Sequence, residues 1–198
     1  MPIKEKIRRI LAQREKRRIV AEHLPSAAVL LPLYEKGGEC YILCTERTEE
    51  VQYHKGEISF PGGSRHEEDD SLLDTALREC FEEIGVDAKE VEVLGELDDI
   101  VTRTSNYIIS PFVAAIPYPY PFKLNRDEVK GIIEVPLAAL LDRRNFREET
   151  QFDESGPFIA YFYEYNGQTI WGATAAMLKQ LLDLVFEVEQ GRILIKNL

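Results

Sequence analysis

Residues 61–86 read PGGSRHEEDDSLLDTALRECFEEIGV, a glycine-rich loop followed by a segment with the pattern of an amphipathic helix. Glu79, Glu82 and Glu83 fall at positions i, i+3 and i+4, so on a helix their carboxylates share one face. Clustered carboxylates repel one another, and a bound cation is the simplest way to hold them together. Carboxylate oxygens are the ligands that magnesium and manganese prefer in proteins. The stretch therefore predicts a divalent-metal site that works on a phosphate-containing substrate.

The predicted helix has a start signal and a stop signal. Asp69, Asp70 or Ser71 is expected to cap its N-terminus, and Gly85 suits the left-handed conformation that ends many helices. An acidic helix face alone is usually a solvated surface, and a Pro-Gly-Gly triplet alone is usually a turn. Because both occur in one short segment, the combination favours a functional interpretation. The buried stripe of this helix is expected to consist of Leu73, Leu77, Cys80 and Ile84.

This combination resembles the Nudix box, the signature of the Nudix hydrolases. Six residues lie between Gly63 and Asp70, one more than the usual pattern has between the glycine and its first acid, and Asp70 stands where most members have Glu. A loop that is longer by one residue is a feature of the coenzyme A pyrophosphatase branch, so the resemblance points to that branch. The other matched positions are Arg78-Glu79, Glu82-Glu83, Gly85 and Val86.

Segments on both sides of the box are also similar to this branch. Gln52 stands where an arginine is expected and Glu57 where a glutamine is usual, so details of substrate binding are expected to differ. The resemblance covers most of the chain from about Pro25 onward. The similar segments are residues 43–48, 54–56 and 60–63 leading into the box, and residues 125–129, 134–137 and 170–174 after it.

The resemblance implies a metal-dependent hydrolase that cleaves the pyrophosphate bond of coenzyme A or its derivatives to 3′,5′-ADP and 4′-phosphopantetheine. The alternative keeps the chemistry and changes the substrate to another nucleoside diphosphate derivative, such as ADP-ribose or NADH. A third interpretation is a module that binds a nucleotide without cleaving it. Such modules commonly lack a box carboxylate, and here Glu79, Glu82 and Glu83 are all present, which favours an enzyme.

The resemblance also implies which groups hold the metal, Mg²⁺ or Mn²⁺. Glu79 and Glu83 are the expected principal ligands, and Glu82 is expected to be a ligand or a base that orients water. The loop glycines allow close backbone approach, and a carbonyl of Gly62 or Gly63 is expected to complete the metal shell.

Further charged residues are expected to act around the metal. Arg78 is expected to brace the carboxylates through charge-assisted hydrogen bonds. The general base is a box glutamate or Glu128 from a later loop, although Glu128 reads equally well as a solvated loop acid. Coenzyme A carries a 3′-phosphate, which needs a cation away from the metals. Arg47, Arg65 and Arg103 are candidates for that cation, and each also reads as an ordinary surface arginine.

The order of predicted elements indicates an α+β fold, an α/β/α sandwich in which a mixed β-sheet is flanked by helices. This is the Nudix fold that the resemblance implies, with an added N-terminal helix. We expect residues 1–22 to form a basic amphipathic helix and residues 23–198 to form one Nudix hydrolase domain. Trp171 is expected in the core rather than stacked on an adenine base. Strands are predicted at 27–34, 40–45, 57–60, 91–101, 108–116, 129–135, 158–165 and 169–171, with helices at 137–141 and 173–188.

The net charge of −11 is distributed unevenly over the 198 residues. Residues 1–20 hold eight basic and two acidic residues, a net of +6, so the remainder carries −17. An acidic body of this kind argues against a nucleic-acid partner. The expected partner is a small-molecule substrate, and no stretch is long and apolar enough to predict a membrane span.

The N-terminal segment also carries an apolar stripe. Ile3, Ile7, Ile10 and Leu11 recur at helical spacing, so the segment is expected to dock onto its own domain or onto a second subunit. A homodimer is therefore a second expectation. The three cysteines have no paired zinc spacing, and together with the lack of a signal sequence they favour reduced thiols and a cytoplasmic location.

Overall fold

A computed structural model describes residues 2–48, 56–153, 156–186, 188–189 and 192–193. Gln52, His54 and Lys55, which the sequence comparison singled out, lie outside the described residues. Four α-helices occur in the described part of the chain: α1 (Ile3–Ala12), α2 (Leu72–Ile84), α3 (Leu137–Leu141) and α4 (Gly172–Phe186). None of the helices in these ranges is long and apolar enough to cross a membrane.

The strands of the described residues form three sheets. The central sheet has eight strands: β1 (Ser26–Lys36), β2 (Glu39–Arg47), β3 (Ile58–Ser59), β4 (Gly62–Ser64), β5 (Glu92–Glu96), β6 (Ile100–Val101), β7 (Ile108–Ala115) and β8 (Val129–Pro136). A second sheet consists of β9 (Phe146–Asp153), β10 (Gly156–Tyr165) and β11 (Gln168–Trp171), and a short ribbon pairs β12 (Val188–Glu189) with β13 (Arg192–Ile193).

The central sheet is mixed, as expected from the sequence. Its order is β3-β2-β1-β7-β5, with β1 parallel to β7 and antiparallel to β2. β8 pairs with β2, and β4 pairs with the first half of β1, which sets Gly63 opposite Ala28. This pairing anchors the glycine loop to the centre of the sheet, directly before α2 begins.

Strand β1 is buried on both faces because helices cover both sides of the sheet. Leu30 and Tyr34 enter the apolar cluster under α2, which also contains Cys80 and Ile84 of that helix. The neighbouring residue Leu31 enters the opposite cluster, to which α1, α3 and α4 contribute. The predicted α/β/α sandwich is thus confirmed.

The N-terminal segment docks on its own domain, although its helix is shorter than the predicted span of residues 1–22. Helix α1 ends at Ala12, and Ile7 and Leu11 are buried in the core. Beyond the helix the chain follows the acidic segment 96–99, where the Asp99 N–H donates to the Arg17 carbonyl. The apolar stripe that favoured a homodimer therefore packs against the core of its own chain. Ion pairs join Lys4 and Arg8 to Glu92, Arg14 to Asp98, and Lys16 to Glu96 and Asp99.

Three other expectations differ from the structure. Trp171 is 46% exposed on β11, so the core placement is wrong. Leu73 and Leu77 of α2 are only half-buried, whereas Thr75 and Ala76 are buried. Helix α4 ends at Phe186, two residues before the predicted end, because residue 188 already belongs to a strand.

Candidate active site

Helix α2 is held at both ends by its own sequence. The Ser71 hydroxyl oxygen accepts from the Asp74 N–H at 3.2 Å and caps the N-terminus. Gly85 has a φ of 76°, and its N–H donates to the Phe81 carbonyl at 2.9 Å. The chain can take this left-handed turn at low cost because residue 85 is glycine. The two caps fix the two ends of the helix, whose last turns carry the predicted metal ligands.

Asp69, rather than Asp70, is the acidic partner of Arg78. The Arg78 Nε donates to Asp69 Oδ1 and its Nη2 donates to Asp69 Oδ2, both at 2.9 Å. Asp69 is 7% exposed, and its Oδ2 also accepts from the His66 N–H and the Thr75 hydroxyl. This bidentate pair with Arg78 holds the pKa of the Asp69 carboxyl well below its usual range.

The identity of this acid corrects the spacing inferred from the sequence. Five residues separate Gly63 from Asp69, so the loop before the acid has the usual length, and the extension assigned to it is wrong. The additional residue lies between Asp69 and Arg78 instead. Asp70, the neighbour chosen from the sequence, is exposed.

Arg78 braces the carboxylate face as the sequence predicts. Its Nη1 donates to Glu79 Oε1 at 2.7 Å and to Glu82 Oε2 at 3.2 Å. Its Nη2 also donates to the Ser64 carbonyl at 3.0 Å, which ties the helix to the loop after β4. With Asp69 on the other edge of the guanidinium, Arg78 is occupied on every side by protein groups.

The glycine loop lies against the carboxylates. A Cβ at Gly63 would fall 2.5 Å from Glu79 Oε1, so a larger residue would displace that carboxylate. A Cβ at Gly62 would fall 2.4 Å from the Ala28 carbonyl oxygen of β1. Both positions therefore require glycine, because neighbouring atoms leave no room for a Cβ. The proposed metal contact of their carbonyl oxygens stays a prediction.

Glu83 is the most buried of the three helix carboxylates, with 2% of the residue exposed. Its Oε2 has no hydrogen-bond partner in the described part of the chain, and its Oε1 lies 3.9 Å from Arg47 Nη1. Burial raises the pKa of Glu83 to about 8, Arg47 opposes the rise, and the charges of Glu79 and Glu128 add to it. Burial likewise raises the pKa of Glu79.

Glu128 reaches this face from the loop before β8. The Asn125 side chain donates to Glu128 Oε1 at 3.1 Å, and the Asn125 N–H donates to the Glu83 carbonyl at 2.9 Å. On the other side the Thr48 N–H donates to the Glu128 carbonyl at 2.9 Å. The structure therefore places Glu128 close enough to Glu79 and Glu83 for its charge to act on both. The interpretation of Glu128 as the general base requires this proximity.

The three candidate arginines lie in different places. Arg47 follows a bulge in β2 and points at Glu83, so it belongs to the carboxylate site rather than to a region away from it. Arg65 is exposed and lies beside a cavity next to the glycine loop. Arg103 forms an ion pair with Asp153, and its guanidinium lies 3.8 Å from the centre of the Phe158 ring.

The donor atoms of this site fit a hard divalent cation. Across residues 2–48, 56–153 and 156–186, no group of three His, Cys, Asp or Glu side chains could hold a metal ion in its present arrangement. The buried Glu83 Oε2 nevertheless has no partner there, and Glu79 stands on the same helix face. A buried carboxylate oxygen without a partner is costly, and Mg²⁺ or Mn²⁺ would remove that cost. Glu79 and Glu83 are the side chains that would hold it, with Glu82 beside them.

Comparisons with known proteins agree with this geometry. A family model described as the NUDIX domain matches residues 23–153, which include the glycine loop, α2 and Glu128. A Yersinia pestis (strain Pestoides F) protein named "Uncharacterized Nudix hydrolase NudL" is 36% identical over 159 residues, covering 80% of this chain and 79% of that protein.

Two solved structures share the fold at low sequence identity. A MutT/nudix family protein from Enterococcus faecalis superposes with a TM-score of 0.58 at 15% identity, covering 89% of this chain and 66% of that one. The Nudix hydrolase RenU from M. smegmatis gives a TM-score of 0.54 at 15% identity, covering 83% of this chain and 88% of that one.

Proposed function

The chain belongs to the Nudix hydrolase family, and from this premise we propose that it cleaves the pyrophosphate bond of coenzyme A or a coenzyme A derivative. The products are 3′,5′-ADP and 4′-phosphopantetheine. One observation carries the chemistry: the buried Glu83, whose Oε2 has no partner in the described residues, stands beside Glu79 and Glu128 at the glycine loop. Members of this family generally use divalent metal ions, and we propose Mg²⁺ or Mn²⁺.

The protein groups have separate tasks in this proposal. A divalent metal bound here would neutralise phosphate oxygens of the substrate and make the attacking water more acidic. Glu79 and Glu83 hold it, while Arg78, which is fixed by Asp69, keeps Glu79 in position. Glu82 and Glu128 are the two carboxylates that we propose as acceptors of the water proton. Glu82 is the more accessible of the two candidates, with half of its side chain exposed.

The proposed substrate rests on the sequence. Residues 43–48 and 60–63 upstream, together with the segments after the box, resemble the coenzyme A pyrophosphatase branch. Arg47, Gly62 and Arg65 are the proposed substrate-binding residues. The printed name of the Yersinia relative gives no substrate. The runner-up substrates are other nucleoside diphosphate derivatives, such as ADP-ribose or NADH. A cytoplasmic location and a homodimer remain predictions.

A substrate screen tests the proposal. Purified protein with Mg²⁺ or Mn²⁺ is expected to convert coenzyme A to the two named products, identified by mass spectrometry. Dephospho-coenzyme A is expected to react at least about tenfold more slowly in kcat/KM, since a charged contact to the 3′-phosphate is lost. Equal rates for coenzyme A and dephospho-coenzyme A, or faster turnover of ADP-ribose or NADH, would favour the alternative substrates.

A matched pair of variants tests the metal face. Glu79→Gln is expected to lower kcat by at least about a hundredfold, because a metal ligand loses its charge. Glu68→Gln removes an exposed acid from the neighbouring loop and is expected to leave kcat unchanged. Full activity in Glu79→Gln would exclude the proposed ligand set.

A further inference from the structure

A cavity of about 540 Å³ opens beside the glycine loop. Its walls include Ser26, Ser64, Arg65, His66 and Tyr107. This volume lies within the usual range for small-molecule sites. The cavity is distinct from the carboxylate face itself, because none of the metal-face glutamates lines it.

We propose that this cavity is the subsite for a phosphate monoester on the substrate's ribose, with Arg65 and Tyr107 as the groups that determine specificity for it. This inference rests on the proposed hydrolysis of coenzyme A and identifies where its 3′-phosphate binds. The ligand chemistry is a terminal phosphate carried by a nucleoside whose 5′-oxygen bears the diphosphate.

The position of the cavity suits that chemistry. In coenzyme A the 3′-phosphate and the 5′-diphosphate are attached to the same ribose ring, so their binding sites have to be adjacent. Gly63 touches the Glu79 carboxylate, and the next residue, Ser64, lines the cavity. The Ser64 carbonyl also accepts from Arg78 Nη2, so one residue joins the brace of the metal face to the cavity wall.

The polar groups of the cavity suit a phosphate. A guanidinium has five N–H donors, and Arg65 uses Nη2 in a 3.1 Å hydrogen bond to the Asp69 carbonyl, which fixes the side chain at the rim. The Arg65 N–H donates to the Ser26 carbonyl at 3.0 Å, so the backbone is fixed as well. The Ser64 hydroxyl donates to the Tyr107 hydroxyl at 3.3 Å, which leaves the Tyr107 proton available to an acceptor in the cavity. Glu67 also lines the cavity, and its carboxylate suits a ribose hydroxyl.

The other two candidate arginines are less suited to this role. Arg47 lies 3.9 Å from Glu83, so its guanidinium faces the diphosphate and the metal ligands. Arg103 is paired with Asp153 and lies over the Phe158 ring, and it does not line the cavity. Arg103 therefore provides a matched control for Arg65.

Binding of two products that differ by one phosphate tests the inference without requiring turnover. Calorimetry with adenosine 3′,5′-bisphosphate and adenosine 5′-monophosphate is expected to show that Arg65→Ala weakens the bisphosphate about ten- to a hundredfold and leaves the monophosphate unchanged. Tyr107→Phe is expected to act in the same direction with a smaller effect, and Arg103→Ala is expected to change neither ligand. Equal effects of Arg65→Ala on the two ligands, or no effect on either, would overturn the subsite.

Kinetics separate this inference from the proposed function. In Arg65→Ala, kcat/KM for coenzyme A is expected to fall about ten- to a hundredfold through KM, with dephospho-coenzyme A unaffected. Unchanged dephospho-coenzyme A turnover also shows that the Asp69–Arg78 pair is intact in the variant. A wild-type protein that binds the bisphosphate through Arg65 but fails to cleave coenzyme A would refute the proposed function and leave the subsite standing.

Discussion

Replacing Asp69 by Asn tests whether Asp69, rather than Asp70, is the acid that holds Arg78. The substitution removes the charge from a carboxylate that is 7% exposed and accepts two hydrogen bonds from Arg78. A hydrogen bond to a charged group contributes about 1.5–3 kcal/mol, and Asn keeps one acceptor oxygen, so we expect a loss of about 3 kcal/mol of unfolding free energy. For a chain of this size that corresponds to a fall in Tm of roughly 6–12 °C.

The assay is thermal unfolding, with Asp70→Asn as the matched control. Asp70 is exposed, so its substitution is expected to leave Tm within about 2 °C of the wild-type value. Hydrolysis with Mg²⁺ should fall in Asp69→Asn as well, since Arg78 loses the partner that holds it against Glu79. An equal effect of the two substitutions, or a larger effect of Asp70→Asn, would refute the assignment of Asp69.

The same variant has a defined pH dependence. Arg78 holds the pKa of Asp69 well below its usual range, so the folded state binds its proton more weakly than the unfolded state. Such a carboxyl stabilises the protein above its unfolded pKa of about 3.9, and the contribution is lost as the pH falls towards the folded pKa. The Tm difference between wild type and Asp69→Asn should therefore be full at pH 7 and narrow below about pH 4. A constant difference over this range would contradict the charge-based explanation.

Three further substitutions test the rest of the structure. Glu83→Gln should lower kcat by about a hundredfold or more, because it removes a metal ligand. It should not lower the Tm of the metal-free protein, because Gln keeps the shape of a buried side chain whose charged form burial already disfavours, and a large loss of Tm would contradict this. Gly63→Ala should reduce hydrolysis at least about tenfold, since its Cβ would fall 2.5 Å from the Glu79 carboxylate. Gly131→Ala is the control and should not reduce hydrolysis, because a Cβ there meets nothing within 4 Å. Equal activities of the two variants would contradict the close approach of Gly63 to Glu79. Leu11→Ala should destabilise the protein by about 2–4 kcal/mol in denaturant unfolding, because Leu11 is only 5% exposed. A change under about 0.5 kcal/mol would show that α1 is not part of the core.

Helix α2 was predictable because its determinants are local. The acids, the apolar stripe and the Gly85 stop lie within one segment, and the structure caps the helix at Ser71 and Gly85. The helix pattern alone does not decide between Asp69 and Asp70. The choice depends on the path of the loop, in which the His66 N–H and the Thr75 hydroxyl converge on Asp69. The sequence did hold one signal, since five residues, the usual number, separate Gly63 from Asp69.

Elements that lack an apolar pattern were predicted least well. Strand β9 was missed because seven of its eight residues are exposed and only Phe146 is half-buried, so no alternation marks it. It is held instead by backbone pairing with β10. The basic N-terminus shows the same limitation, since its helix ends at Ala12 and the chain beyond it is held by ion pairs of Arg14 with Asp98 and of Lys16 with Glu96. Long-range pairing of charges leaves no periodic trace in either partner.

The site uses its two arginines for different purposes, and their contacts explain the division. Arg78 donates to Asp69, Glu79 and the loop carbonyl, so it is committed to holding the metal face together. The Arg47 Nη1 lies 3.9 Å from Glu83 Oε1, and among the residues described its buried Nε has no hydrogen-bond partner. A buried donor without a partner is costly unless something else satisfies it. Once a cation binds Glu83, we expect Arg47 to turn to a phosphate oxygen of the substrate, which supplies an acceptor that the described residues do not.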